Sequence, residues 1–343
     1  MSPEIPIEKR KNEHLKICLH QDVSSSLANS LDAIRLRPSA LPELDLKCVN
    51  IQTRFLGHLL SAPILISSMT GGSSQTARLN EVFAEAAESC QIAIALGSQR
   101  AAIQNSVYES TYAIRKLAPH ALIVANLGAI QLNNGFNVDS CKKAIEIAGA
   151  DAIFLHLNAL QEALQPEGDT NWSDLLRKIE NLARDLDRPL LVKEVGWGID
   201  KRNALRLQNA GVAAIDVAGA GGTSWSQVEY FRQQEPSMRQ IAADFRGWGL
   251  ATLECLRELA QEPKLKIPFI ASGGLRHGID LAKCLALGAS LGGYARCLLP
   301  AADRGTQALI AQIEAIKKEL QIALFACGAA DLSACNQSLV LGL

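Results

Sequence analysis

The chain has 343 residues, 48% of them hydrophobic and 20% charged, and its 34 basic and 35 acidic residues give a formal charge of −1. This composition predicts a folded protein with a large core and excludes a disordered chain. The balanced charge disfavours binding to nucleic acid or to an anionic membrane through bulk electrostatics.

Signals for targeting and for disulfide or metal use are weak. The opening segment alternates charges and lacks the apolar region of a secretory signal, and no apolar run approaches the roughly 20 residues of a membrane span. The nine cysteines are scattered and are never spaced C-x-x-C. We therefore expect a cytoplasmic protein with reduced cysteines, no membrane insertion and no nucleic-acid partner.

From residue 62 onward, short apolar runs alternate with amphipathic stretches, which is typical of βα units around a parallel sheet. The predicted strands are 63–67, 92–96, 122–126, 152–157, 190–194, 214–218, 268–272 and 290–295. The predicted helices are 76–89, 107–117, 139–148, 173–186, 201–210, 249–261, 278–287 and a last one near 305–320. Eight such units favour an α/β protein with the (β/α)8 TIM-barrel fold over an open doubly wound sheet.

Two segments depart from this pattern. Residues 1–61 precede the first strand, and we expect an N-terminal extension that packs across the barrel or over its mouth. Residues 62–343 then form the barrel, within a single domain overall. Residues 219–248 form a long loop after strand six, and long loops in compact domains are usually functional or disordered. Its glycine-rich start, 219–225, allows close approach of the backbone to a ligand.

Polar residues follow several strands at the end where barrel enzymes carry their active sites. Strand seven ends in two glycines and Arg276 before a predicted helix, which indicates a phosphate-binding turn or, alternatively, a plain turn with a surface arginine. Lys193 ends an apolar strand, where a cation is costly unless it faces an anion at the mouth. A salt bridge to Glu194 or to an acidic rim residue is the alternative.

A second polar group follows strand four, and it contains His156, Asn158, Gln161 and Glu162. A carboxylate beside amide oxygens suits a hard cation such as Mg²⁺, although composition alone leaves the metal open. The charged N-terminal segment 10–14, taken by itself, is typical of a solvated face.

Six of these segments resemble, in order and spacing, the motifs of the type 2, flavin-dependent isopentenyl-diphosphate isomerases. They are Arg10-Lys11-x-x-His14, Ser68-Met69-Thr70-Gly71-Gly72, Gly97-Ser98-Gln99-Arg100, His156-Leu157-Asn158 with Gln161-Glu162, Gly221-Gly222-Thr223-Ser224-Trp225 and Ser272-Gly273-Gly274-Leu275-Arg276. The resemblance implies an FMN-binding barrel that interconverts isopentenyl and dimethylallyl diphosphate, with reduced FMN, Mg²⁺, and NADPH or NADH as reductant. It also implies a homo-oligomer, a tetramer or an octamer.

The resemblance assigns residues to each ligand. The flavin would be lined by Ser68, Met69, Thr70, Ser98, Asn126, Lys193 and Thr223, and its phosphate held by Gly274, Leu275, Arg276, Ala295 and Arg296. The substrate would meet Arg10, Lys11, Ser98, Gln99, Arg100 and Gln161, and the metal Glu162. The family usually has serine where this chain has Ala218, so one hydrogen bond to the flavin is expected to be missing.

The expected reaction moves a double bond by one position through a carbocation-like transition state, which favours a dry pocket with negative charge nearby. Under the resemblance, reduced FMN is the acid–base catalyst, and the candidate catalytic residues are Gln161, Lys193 and His156. A 2-hydroxy-acid oxidase on the same barrel would need a histidine base and an arginine clamp for the carboxylate near the ends of strands six and seven, and residues 218–221 after strand six contain neither. A flavin- or phosphate-binding protein without catalysis would not need Gln161, Glu162 and the basic pair at 10–11.

Overall fold

A computed structural model describes residues 7–69 and 71–342; Thr70, which the resemblance assigns to the flavin, lies outside the described residues. Eight parallel strands close into a barrel in which each strand pairs with the next and the eighth pairs with the first. They are β1 (Ile64–Ile66), β2 (Ala93–Ala95), β3 (Ile123–Gly128), β4 (Ala152–His156), β5 (Leu190–Lys193), β6 (Ala214–Asp216), β7 (Phe269–Ser272) and β8 (Leu291–Tyr294). The predicted fold is confirmed.

Helices surround the barrel and cover its mouth. They are α1 (Ile7–His20), α2 (Ser74–Cys90), α3 (Arg100–Gln104), α4 (Val138–Ala148), α5 (Ala159–Leu164), α6 (Leu175–Asp185), α7 (Lys201–Asn209), α8 (Trp225–Arg232), α9 (Pro236–Asp244), α10 (Thr252–Ala260), α11 (Gly278–Ala286), α12 (Leu299–Arg304) and α13 (Thr306–Ala326). Among the described residues, no helix has both the length and the apolar character that crossing a membrane requires.

Both faces of the barrel strands are buried, which explains why the strands read as continuous apolar runs. Alternate side chains, such as Leu65, Phe154 and Leu191, point inward and fill the barrel. Their neighbours, such as Ile66 and Leu155, point outward and pack against the helices. The inward positions become polar towards the carboxyl ends of the strands, and this change marks the functional end of the barrel.

The N-terminal extension covers both ends of the barrel. A hairpin of Thr53–Phe55 and His58–Leu60 closes the bottom, where Phe55 and Leu60 join the apolar cluster inside the barrel. Both turn residues of this hairpin, Leu56 and Gly57, have positive φ angles, which matches the twist of paired strands. Helix α1 lies at the opposite end, over the mouth.

Two predicted segments differ from the structure, and one short helix was missed. The predicted helix 107–117 is replaced by α3 and a 3₁₀ turn, Ser106–Tyr112, because Asn105 between them is extended and its side chain accepts from the Val107 amide. The predicted loop 219–248 contains α8 and α9, and α9 begins at Pro236 after Glu235, whose carboxylate accepts from the first-turn amides. The short helix α5, after β4, was not predicted.

Truncation of Phe55 should destabilise the whole protein, because this side chain fills the bottom of the barrel and is only 5% exposed. We expect Phe55→Ala to lower the free energy of unfolding by about 3 kcal/mol, measured by urea denaturation followed by circular dichroism. Leu59→Ala, in the same hairpin but 56% exposed, is the control and should change it by about 0.5 kcal/mol or less. Equal losses for both variants would contradict the assignment of the hairpin as a plug.

Candidate active site at the mouth of the barrel

A cavity of about 760 Å³ lies at the carboxyl end of the strands. Each of the eight strands contributes at or just after its end, through Ser68, Ser98, Asn126, His156, Lys193, Ala218, Ser272 and Ala295. Of the site residues predicted from the sequence, all those that the structure describes line this cavity, with the exception of Gln99. The geometry of parallel strands therefore brings together residues as far apart in the sequence as Ser68 and Ala295.

Gln99 is a correction to the predicted substrate contacts. Its side chain is fully buried, donates to the Ala144 carbonyl at 2.8 Å and accepts from the Asn126 amide at 3.0 Å. It therefore links the end of β2 to β3 and α4 and does not face the cavity. Its neighbours Ser98 and Arg100 do face it.

A chain of hydrogen bonds fixes the polar groups at the ends of β1, β3 and β4. Asn126 donates through Nδ2 to Ser68 Oγ at 2.8 Å, and its Oδ1 lies 2.8 Å from His156 Nδ1. Because an amide oxygen only accepts, His156 carries its proton on Nδ1. Burial, together with the charges of Lys193, Lys11 and Arg10, lowers the pKa of His156 to about 3, so this ring is neutral at physiological pH.

Lys193 does not form the salt bridge to Glu194 that the sequence left open. The Glu194 carboxylate instead accepts from the backbone amides of Val195, Gly196 and Trp197, at 2.6–2.8 Å. The Lys193 ammonium donates to the Glu194 carbonyl. Its side chain is buried and lines the cavity, so a cation is available to a ligand there.

Two glycine turns meet at one end of the cavity. A Cβ added at Gly222, after β6, would lie 2.6 Å from the Gly274 amide nitrogen, after β7, so this contact requires glycine. Arg276 follows on the second turn, but its guanidinium binds Asp32 and Asp280 and its side chain is 43% exposed. The turns thus present backbone to the cavity, while the Arg276 cation is already paired with carboxylates.

Helix α1 carries cations over the opposite end. Lys11 donates through Nζ to the Ser98 carbonyl and to Tyr112 Oη, each at 2.6 Å. Burial, and then the neighbouring Arg10, lower the pKa of Lys11 to about 7. Arg10 lies 3.6 Å from a Glu167 carboxylate oxygen, and Arg100 lies 3.2 Å from that of Asp169.

Glu162 faces these cations and is held by hydrogen bonds to both of its oxygens. It accepts from Asn158 Nδ2 at 2.8 Å, Gln165 Nε2 at 2.6 Å and the Asp169 amide at 2.8 Å. Burial raises the pKa of Glu162 despite these bonds. The neighbouring Asn158 Oδ1 is buried without a hydrogen-bond partner. Two oxygen ligands for a hard cation therefore lie together.

Glu229, in α8, is the central residue that the sequence analysis missed. It is fully buried and contacts Arg232 at 2.6 Å, His14 at 3.1 Å and Gln161 at 3.1 Å. Burial alone would raise the pKa of Glu229, but His14, Arg232 and Gln161 outweigh it and hold the pKa at about 2. Glu229 therefore stays ionised and fixes the amide of Gln161.

Comparisons with known proteins show the family to which the chain belongs. Residues 133–341 match the family model of FMN-dependent dehydrogenases. The chain is 43% identical over 327 residues to the isopentenyl-diphosphate delta-isomerase of Oceanobacillus iheyensis, covering 95% of this chain and 93% of that one. It is 46% identical over 325 residues to that of Synechocystis sp., covering 94% and 93%.

Solved structures share the fold at lower identity. A flavocytochrome b2 mutant with pyruvate bound has a TM-score of 0.69 at 19% identity, covering 96% of this chain and 82% of that one. An (S)-mandelate dehydrogenase mutant has a TM-score of 0.69 at 17% identity, covering 98% and 97%. The chain is thus an FMN-dependent enzyme built on a (β/α)8 barrel. Within that class, it belongs to the type 2, FMN-dependent isopentenyl-diphosphate delta-isomerases.

Anion binding beside Lys11 should depend on pH. Since the pKa of Lys11 is about 7 in the free protein, its side chain is mostly charged at about pH 6 and mostly neutral at about pH 8.5. We expect wild type to bind inorganic diphosphate on the order of tenfold more tightly than Lys11→Met at the lower pH, and by a smaller factor at the higher pH. Isothermal titration calorimetry measures the dissociation constants of both proteins at each pH. The ratio of the two constants at one pH removes the effect of protonation of diphosphate itself, because both proteins bind the same ligand. The same ratio at both pH values would refute this role.

Proposed function

We propose that this protein interconverts isopentenyl diphosphate and dimethylallyl diphosphate, with reduced FMN and Mg²⁺ in the cavity at the barrel mouth. The observation that carries the proposal is that one cavity joins a flavin-type set of strand-end residues to a cluster of cations around a carboxylate. Relatives that are 43–46% identical over nearly the full chain carry the same activity in their names. A protein that only binds flavin would not need the cations and the carboxylate at the other end of the cavity.

The residues at the barrel mouth fit FMN. Ser67 Oγ is buried beneath the cavity without a hydrogen-bond partner, and a buried hydroxyl is normally satisfied by a ligand or water. The glycine turns at 222 and 274 pack tightly against each other, and both line the cavity with backbone atoms. Lys193 would offset negative charge on the ring system. Bound reduced FMN would supply a negative charge and a protonatable nitrogen.

The opposite end suits a diphosphate with its metal. Arg10, Lys11 and Arg100 converge there, and several cations are what a diphosphate needs beside its Mg²⁺. Among the described residues, no three histidine, cysteine, aspartate or glutamate side chains cluster as a metal site. Glu162 would therefore be the single charged ligand, which suits Mg²⁺ because this ion often keeps waters and substrate phosphates as ligands.

The remaining polar residues would orient the substrate, and helix α1 would exclude water from it. Asn158 and Glu229 hold the two ends of the Gln161 amide, so Gln161 can present only a fixed orientation to a bound hydrocarbon. Neutral His156 holds Asn126 without adding positive charge near a developing carbocation. Helix α1 shields the mouth from water, which strengthens the electrostatic interactions inside.

Three further parts complete the proposal. NADPH or NADH would reduce the flavin and the protein would act as a homo-oligomer, and both rest on the family resemblance. The protein would work in the cytoplasm, which rests on its scattered, unpaired cysteines.

Anaerobic turnover tests the function directly. With FMN, Mg²⁺ and isopentenyl diphosphate, the protein should form dimethylallyl diphosphate after reduction of the flavin, and NMR of the products measures it. The oxidised holoenzyme is the control and should be inactive. Equal turnover with oxidised flavin would contradict the role of reduced FMN, and flavin reduction by 2-hydroxy acids without isomerisation would favour the oxidase alternative.

Glu162→Gln should lose most Mg²⁺-dependent activity while the flavin remains bound. Loss of a charged metal ligand should raise the Mg²⁺ concentration for half-maximal activity by roughly tenfold or more. Mutation of a residue that only hydrogen-bonds to a metal ligand already weakens metal binding or activity by about 10- to 100-fold. A Mg²⁺ titration of the initial rate measures the shift. Glu180→Gln makes the same change at an exposed position of α6 and should leave the titration unchanged. A wild-type curve for Glu162→Gln would make Glu162 a structural residue.

A further inference from the structure

The N-terminal extension crosses the glycine-turn end of the cavity. Its residues 23–25 run antiparallel to the turn after β6, with Ser25 N donating to the Gly222 carbonyl and Ser224 N to the Val23 carbonyl, each at 2.8 Å. Ser24 lies opposite Thr223 in this bridge. The pairing fixes the backbone of the segment and turns Ser24 towards the cavity, which Ser24 lines.

Ser24 meets the arginine that follows β8. Arg296 donates through Nη1 to Ser24 Oγ at 3.2 Å. No described carboxylate lies within ion-pair distance of Arg296, whereas the Arg276 guanidinium on the neighbouring turn contacts both Asp32 and Asp280. A partly buried guanidinium without a carboxylate is a suitable partner for a bound anion. The cation available at this end of the cavity is therefore that of Arg296, with Ser24 beside it.

The same extension also supports the second glycine turn. Asn29 Nδ2 donates to the Gly274 carbonyl at 2.7 Å, and a Cβ added at Gly274 would lie 3.3 Å from that nitrogen. Lys283 of α11 donates to the Leu31 carbonyl at 2.7 Å. Residues 22–32 are thus attached to the turns after β6, β7 and β8, and they form a wall that the barrel itself does not supply.

We propose that Ser24 is a ligand of the FMN phosphate, and that residues 22–32 form the third side of the phosphate site beside the turns after β7 and β8. The hydroxyl would donate to a phosphate oxygen while it accepts from Arg296, and it places a polar hydrogen of the extension next to this cation. The inference rests on the proposed FMN-dependent function. It assigns to the N-terminal extension a role in cofactor binding as well as in covering the mouth.

A phosphate ligand should affect FMN and leave riboflavin unaffected, because riboflavin has the same ring system without the phosphate. Titration of the apoprotein with each flavin, followed by quenching of flavin fluorescence, gives both dissociation constants. Ser24→Ala should weaken FMN binding by roughly tenfold and leave riboflavin binding unchanged. Ser24→Thr keeps the hydroxyl in an extended segment and should retain most of the FMN affinity.

Ser25→Ala is the matched control. The Ser25 hydroxyl donates to the Arg246 carbonyl at 3.2 Å and does not line the cavity, so both flavins should bind this variant as they bind wild type. An equal loss for FMN and riboflavin in Ser24→Ala would make Ser24 a structural residue. No loss for either would remove it from the site, and both results overturn the inference.

The isomerase assay separates this inference from the proposed function. A wild-type protein that isomerises and prefers FMN to riboflavin, together with an unaffected Ser24→Ala, overturns the role of Ser24 alone. A wild-type protein that binds the two flavins equally overturns the phosphate site as a whole, and Ser24 with it.

Discussion

The buried carboxylate of Glu229 connects three parts of the structure that are distant in sequence. It binds Arg232 within α8, His14 from α1 and Gln161 from α5. A buried carboxylate without such partners would be strongly unfavourable, so the three elements stabilise one another. Because α1 carries Arg10 and Lys11, the cations over the barrel mouth depend on this cluster for their position.

The two ends of the cavity present different kinds of groups to a ligand. At the glycine turns, backbone approaches closely and Arg296 and Ser24 supply polar side chains. Under α1, Arg10, Lys11 and Arg100 line the cavity together with Glu162. His156 lies in the same cavity, and its neutral form follows from burial and from Lys193 nearby. The positive charge of the site thus stays on the lysine and arginine side chains that line the cavity, and it does not extend to the imidazole of His156.

Much of this arrangement was predictable from the sequence, because buried parallel strands are short apolar runs and barrel geometry brings their ends together. Gln99 was misplaced because neighbouring residues at a strand end face opposite ways, and a motif does not show which one faces inward. Helix α8 was read as loop, since its polar residues are buried only by partners elsewhere. Glu229 and His14 are 215 positions apart, so no local pattern could indicate their contact.

Glu229 fixes helix α1 over the active site through its contact with His14. Hydrogen–deuterium exchange, measured by mass spectrometry on wild type and Glu229→Gln, tests this role most directly. The substitution removes the negative charge that Arg232 and His14 share, and it leaves Arg232 with its ion pairs to Glu167 and Glu13. We predict that the amides of Ile7–His20 then exchange on the order of tenfold faster, whereas those of strands β3 and β4 keep their protection. Unchanged protection of α1 in the variant would contradict the account.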